Sequence, residues 1–282
     1  MKLIECPRDA MQGLTEFIPT ATKTAYLQAL LAVGFDTLDF GSFVSPKAIP
    51  QLRDTAEVLA GLDLGRTNTR LLAIVANLRG AETAALHPEI QFIGFPLSVS
   101  ETFQQRNTNK STIEALAELA RMQSLCEKTG KTLVTYLSMG FGNPYGDPWS
   151  PDIVAEFTRT LSNMGVGIVA LSDTIGASTP ATIEPLFSQL IPAFPAIEFG
   201  AHLHTTPGSW REKVQAAYLA GCRRFDGALG GFGGCPMATD VLTGNMATEN
   251  LVAYFAEQGE ELGLDMGALA RAQAAAGGVF HF

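Results

Sequence analysis

Short runs rich in Val, Ile, Leu and Phe recur along the chain, and between them lie longer stretches in which apolar residues return every three to four positions. The short runs predict strands at Leu3–Cys6, Thr37–Phe40, Leu71–Val75, Ile90–Phe95, Leu133–Leu137, Gly167–Leu171, Ile197–His202 and Arg224–Asp226. The periodic stretches predict helices over Thr22–Val33, Asp54–Leu62, Arg79–Ala85, Thr112–Lys128, Ser150–Met164, Thr179–Ile191, Trp210–Ala220 and Thr248–Gln258. Local punctuation supports the boundaries. Ser111-Thr-Ile-Glu114 and Thr248-Glu-Asn resemble N-terminal caps, and Pro151 follows Ser150 at a first helical position. Gly34, Gly130, Gly165 and Gly221 each fall just past a helix, where a left-handed residue is wanted.

Repeated strand–helix units imply a parallel sheet, either closed as an eight-stranded barrel or open and doubly wound. The position of the polar residues favours the barrel. Arg8 and Asp9, Asp39, Ser98, Asp173, His202 and His204, and the Gly-rich segment beyond Asp226 all fall at or just after strand ends. A barrel gathers residues from every strand end on one face, whereas an open sheet focuses its ligand at one switch point. The expectation is an α/β fold, a single-domain (βα)8 TIM barrel over residues 1–265. Residues 266–282, rich in Ala and Gly, are expected to be a weakly held C-terminal tail.

Composition narrows the function classes. With 46% apolar and 17% charged residues, the 282-residue chain has ample material for a large core. A formal net charge of −9 argues against nucleic acid or an acidic membrane surface as partner, since no cationic excess exists to neutralise phosphates. The chain shows no run approaching a membrane span and no signal-peptide pattern. Cys6, Cys126, Cys222 and Cys235 form no CxxC pair, so free thiols in a reducing cytoplasm are expected.

Two of only four histidines stand as His202-Leu203-His204. Residues two apart in a strand point to the same side, so both imidazoles can approach one ion at a strand end. With a carboxylate and an amide oxygen they would form a mixed N/O set suited to Mg²⁺, Mn²⁺, Fe²⁺ or Zn²⁺. Arg8-Asp9, on the same face of a barrel, offers a third ligand and a fixed cation. The segment from Gly227 to Pro236 carries five glycines in its first eight residues and ends on Cys235, a thiol at the tip of a potential lid. Neither this segment nor Gly140-Phe-Gly142-Asn-Pro-Tyr145 completes GxGxxG, and GxxxxGK[ST] is absent, so hydride transfer and nucleotide hydrolysis lose their usual support.

The stretches PRDAMQG at 7–13, GSFVSPKAIPQ at 41–51, SETF at 100–103, SDTIGASTP at 172–180, AHLH at 201–204 and GGFGGCPMATDVLTGNMATENLV at 230–252 together resemble the 3-hydroxy-3-methylglutaryl-CoA (HMG-CoA) lyase family, within the metal-dependent barrel lyases and Claisen-type condensing enzymes. The resemblance implies one divalent cation, Mg²⁺ or Mn²⁺, held by Asp9, His202, His204 and Asn245. It implies catalytic roles for Arg8 at an enolate, His202 near the reacting hydroxyl, Cys235 as a mobile acid and Asp39 beside them. Gln12, Asp173 and Thr174 adjoin the ligands and are expected to touch an acyl-CoA substrate or to support the ligands from behind, while Lys23, Lys47 and Arg106 are candidates for its phosphates. Three positions depart from the family pattern: Thr205 stands where an acid usually follows the second histidine, Asp39 replaces a longer Glu, and the Cys235–Asn245 segment is one residue longer. The expected activity is cleavage of HMG-CoA to acetyl-CoA and acetoacetate. The alternatives are a related condensing enzyme or pyruvate aldolase, or a non-catalytic barrel that binds metal or acyl-CoA. A homodimer is implied by the family.

Overall fold

The computed structural model describes residues 1–234 and 243–280. Its first half runs β1 (Lys2–Glu5), α1 (Pro7–Gln12), α2 (Thr20–Leu31), β2 (Thr37–Ser42), α3 (Thr55–Ala60), β3 (Arg70–Ile74), α4 (Leu78–Ala85), β4 (Ile90–Ser98), α5 (Glu101–Thr108) and α6 (Thr112–Thr129). The second half continues β5 (Thr132–Ser138), α7 (Pro151–Asn163), β6 (Ile168–Ser172), α8 (Pro180–Ala193), β7 (Glu198–His202), β8 (His204–Thr205), α9 (Trp210–Leu219), β9 (Arg224–Gly227), β10 (Gly244–Asn245), α10 (Thr248–Glu257) and α11 (Met266–Phe280). Strands β1 to β7 and β9 pair in parallel and close into a barrel, with Ile4 opposite Asp226 at the seam. Closure excludes the open doubly wound sheet.

Strand alternation divides the core into two shells. Leu72, Phe92, Val134, Tyr136, Ile168 and Ala170 fill the barrel lumen, whereas Leu71, Ala73, Ile93, Leu133, Val169 and Leu171 pack outward against the helices. Two strand glycines make room for the largest lumen side chains. A Cβ on Gly94 would lie 3.1 Å from the Tyr136 ring, and one on Gly200 would lie 3.1 Å from Arg224 Cδ.

The cap signals hold with one exception. Ser111 and Glu114 form the reciprocal capping box of α6, Gly130 ends that helix in the left-handed region at φ 69°, and Ser150 caps α7. Thr248 does not cap α10, because Ala247 takes that position and the Thr248 hydroxyl donates to Glu5.

Three helices were not expected: α1, α5 and α11. The last corrects the expectation of a tail. Ala268, Leu269, Ala272, Ala276 and Val279 are buried, Tyr26 of α2 meets Phe280 edge-on at 6.0 Å, and Asp265 Oδ1 accepts the Ala268 N–H at 2.8 Å in the first turn. Alanine is the strongest helix former, so an Ala-rich composition that resembles a tail becomes a helix once one face finds a groove.

Candidate active site

Each candidate residue reaches the C-terminal face of the barrel for a local reason. Pro7 sits at the first position of α1, directly after β1, and turns the chain so that Arg8, Asp9 and Gln12 share one helical turn. Strand β7 delivers His202, the chain steps past Leu203, and β8 presents His204. Strand β10 pairs antiparallel with β8, placing Asn245 opposite His204, while β9 places Asp226 opposite His202. Register thus brings together residues far apart in sequence.

One donor atom each from Asp9, His202 and His204 lies within 4.8 Å of the others. The Asn245 amide nitrogen donates to Asp9 Oδ2 and to the Phe232 carbonyl, both at 2.8 Å. Both partners are acceptors only, which fixes the orientation of the amide. Among the described residues neither ring nitrogen of His204 makes a hydrogen bond of normal geometry, although the Thr174 backbone is near enough to act on the ring. Two imidazoles, a carboxylate and an amide therefore fit a divalent cation, and the two buried His204 nitrogens, without a well-formed hydrogen bond among the described residues, are the strongest sign of it.

Electrostatics prepare these groups for that use. Burial, and next the charge on His202, push His204 down to about 4, so its ring is neutral. Burial alone would raise Asp9, but Arg8 and then the two histidines hold it below the usual carboxylate range. Burial would lower His202, yet Asp226, whose Oδ2 lies 3.1 Å from Nδ1, and then Asp9 raise it above the ordinary imidazole value. With Nδ1 turned to Asp226, Nε2 is the nitrogen left for a ligand.

Arg8 is held on three sides. Its Nε lies 2.9 Å and its Nη2 2.5 Å from Asp39 Oδ2, and Nη1 donates at 3.0 Å both to Asp9 Oδ1 and to Gln12 Oε1. Gln12 closes the triangle by donating to Asp9 Oδ1 at 2.6 Å. One Nη2–H remains without a partner among the described residues, available to a substrate oxygen. Burial raises Asp39 to about 6 against the pull of Arg8.

A cavity of about 410 Å³ opens over this cluster. Arg8, Asp9, Gln12, Thr174, His202 and His204 line it together with an apolar wall that includes Val44, Ile49, Ile74 and Phe103. Two expected site residues do not face it. Asp39 is fully buried with both oxygens on Arg8, so it acts through Arg8. Asp173 lies between Ser172 and Thr174, which line the cavity, and points the other way, accepting from Ser178 and from the buried Lys213 ammonium at 2.9 Å. The same alternation that pairs the histidines turns Asp173 outward.

Lys23 is likewise committed, bonded to Asp54 at 2.7 Å and to the Gln51 carbonyl. Cys235 lies outside the described residues.

Four contributors were not expected. Asp226 and Tyr136, on inward strand positions, were legible from strand-end and alternation logic. The Tyr136 ring meets His202 edge-on at 5.6 Å. Cys6, expected only as a free thiol, offers Sγ within 4.8 Å of donor atoms of His202 and Asp226, and burial, then the charges of Asp226, Asp39 and Asp9, hold it as the protonated thiol. Lys213, in mid-helix, also donates to the His204 carbonyl at 2.9 Å and carried no sequence signal.

The HMGL-like family model matches residues 3–275. The chain belongs to this family. It is 37% identical over 252 residues to a hydroxymethylglutaryl-CoA lyase of Bacillus subtilis, covering 89% of this chain and 83% of that protein. It is 31% identical to an (R)-citramalyl-CoA lyase of Chloroflexus aurantiacus, covering 93% and 85%. A solved HMG-CoA lyase from A. baumannii, in complex with coenzyme A and 3-methylmalate, superimposes with a TM-score of 0.91 at 30% identity, covering 99% of this chain and 90% of that one. Among the described residues, no helix is long and apolar enough to cross a membrane.

Proposed function

We propose that this chain is a divalent-cation-dependent carbon–carbon lyase that cleaves HMG-CoA to acetyl-CoA and acetoacetate. The observation that carries the reading is the meeting of Asp9, His202 and His204 within 4.8 Å in a cavity that also presents Arg8. Asp9, His202, His204 and Asn245 would hold Mg²⁺ or Mn²⁺, which when bound supplies a Lewis acid that lowers the pKa of the substrate's C3 hydroxyl. With Nδ1 on Asp226 and Nε2 on the cation, His202 orders the site around the hydroxyl, whose proton passes to a water beside it. The C2–C3 bond then breaks, its electron pair passing to the thioester as an enolate.

Arg8 stabilises that enolate. The guanidinium is locked by Asp39, Asp9 and Gln12, so its remaining N–H is aimed before the charge develops and pays no reorganisation during the step. Cys235 returns a proton to the enolate carbon to release acetyl-CoA, a role supported by its motif. Gln12 and Thr174 contact the acyl group; the Thr174 hydroxyl accepts from Met139 N–H at 2.9 Å and keeps its own proton to donate. Asp173 is assigned instead to anchoring the 173–178 turn. The family supports a homodimer, and the unpaired Cys6, Cys126 and Cys222 support a reducing, cytoplasmic setting.

The similarity to a citramalyl-CoA lyase favours one second reading, in which the same steps release acetyl-CoA and pyruvate. Incubating the purified protein and Mn²⁺ with HMG-CoA or with (R)-citramalyl-CoA, and following acetyl-CoA with acetoacetate or pyruvate, separates the two. Acetyl-CoA from neither thioester overturns the lyase reading.

A further inference from the structure

The C-terminal helix α11 ends at the root of the Gly-rich segment. The Phe280 ring stacks on Phe232 with centroids 4.5 Å apart and planes inclined by 18°. Phe232 is folded tightly over its own loop: a Cβ on Gly230 would lie 2.0 Å from its ring. On the other side of the backbone, its carbonyl accepts the Asn245 amide at 2.8 Å, and the same amide nitrogen donates to Asp9 Oδ2. Gly233 is pressed against the same two residues, since a Cβ there would lie 2.8 Å from the Asp9 carbonyl and 2.9 Å from the Asn245 amide.

These contacts form a continuous path from the last turn of α11 to two of the four candidate cation ligands. We infer that Phe280 is a positioning residue for the cation site: by clamping the Phe232 ring it fixes the carbonyl that holds Asn245 against Asp9. The inference rests on the divalent-cation reading of the site. Its physical basis is conformational freedom. Gly230, Gly231, Gly233 and Gly234 all have positive φ, so the backbone around Phe232 has little stiffness of its own, and an aromatic stack supplies it from outside. Without the clamp the Phe232 carbonyl wanders, and Asn245 has one partner where it had two.

The test measures Mn²⁺ affinity in the absence of substrate, by titration with electron paramagnetic resonance detection, alongside melting temperature. Phe280→Ala is expected to weaken Mn²⁺ binding about tenfold, the lower end of what loss of an outer ligand support costs. Phe280→Tyr, which retains the stack, should restore it. Leu269→Ala removes a buried side chain of the same helix about 16 Å back along its axis at 1.5 Å per residue, and should lower the melting temperature with Mn²⁺ affinity unchanged. If Phe280→Ala binds Mn²⁺ as the native chain does, or Leu269→Ala weakens binding equally, the positioning role is overturned while the cation reading stands. If the native chain binds no divalent ion, both fall.

Discussion

The exposed ion pairs at one mouth of the barrel and the buried trio at the other treat charge differently, with Arg224, 1% exposed beside Glu198, the exception at the first mouth. At the end where the strands begin, Lys2 meets Glu198 and Arg70 meets Asp36, and the side chains of Lys2 and Arg70 are each 40% exposed. At the end where the strands finish, Arg8, Asp9 and Asp39 form a linked trio whose side chains are 9%, 10% and 0% exposed. Water screens the first set, and each pair there contributes little to stability. The second set is desolvated, so each charge depends on its neighbours. A chain accepts such a cost where fixed charges in a dry cavity are useful, and that is the face on which barrel enzymes carry their chemistry.

Replacing one arginine at each mouth is the sharpest way to break the contrast. Arg8→Met should lower kcat by about 10²–10³, the worth of one preorganised donor at a developing oxyanion. It should also destabilise the fold by about 3–5 kcal/mol, because Asp39 is left buried beside Asp9 with no cation. Arg70→Met should cost no more than about 1 kcal/mol and leave kcat unchanged. Equal losses of stability in the two variants, read from denaturant midpoints, would mean that burial does not distinguish the mouths. A smaller effect is expected at Asp226, whose carboxylate orients His202. Asp226→Asn should weaken Mn²⁺ binding by about 10–100-fold with the fold intact. Unchanged affinity would show that His202 needs no help to face the ion.

How much of this the sequence revealed follows the same division. All eight barrel strands were legible, because burial on both faces makes them dense apolar runs bounded by turn residues. Strand ends pointed to the meeting of Asp9, His202 and His204, and a motif to Asn245 beside them, as candidate ligands. Less visible was what lies one contact further in. Asp173, expected at the substrate or behind the ligands, takes the second place through Lys213, since a motif names a residue without saying which way a strand end turns it. Lys213 was missed because a buried lysine in mid-helix looks like a solvated one until Asp173 and the His204 carbonyl are found around it. The helix α11 was missed because composition alone does not show the groove that an Ala-rich face will fill.

An effect on stability alone tests whether the desolvated end extends beyond the cavity itself. Glu5 closes β1 at that end without lining the cavity, accepting the Leu229 N–H at 2.9 Å and the Thr248 hydroxyl, and so ties β1 to the start of the Gly-rich segment and to the start of α10. Burial pushes its carboxyl up to about 8, and the two hydrogen bonds offset only part of that. An unfolded chain releases this proton near the ordinary value of 4.5, whereas the native state keeps it to about 8. Over that window the native state binds more protons than the unfolded one, so Glu5 makes stability fall as pH rises. Glu5→Gln keeps an acceptor for Leu229 and removes the titration. It should therefore stabilise the fold by on the order of 2 kcal/mol at pH 7.5, raise the melting temperature there by a few degrees, and change little at pH 4.5. A melting temperature lowered equally at both pH values would place Glu5 with the screened charges of the opposite mouth, as a packing element whose ionisation carries no cost.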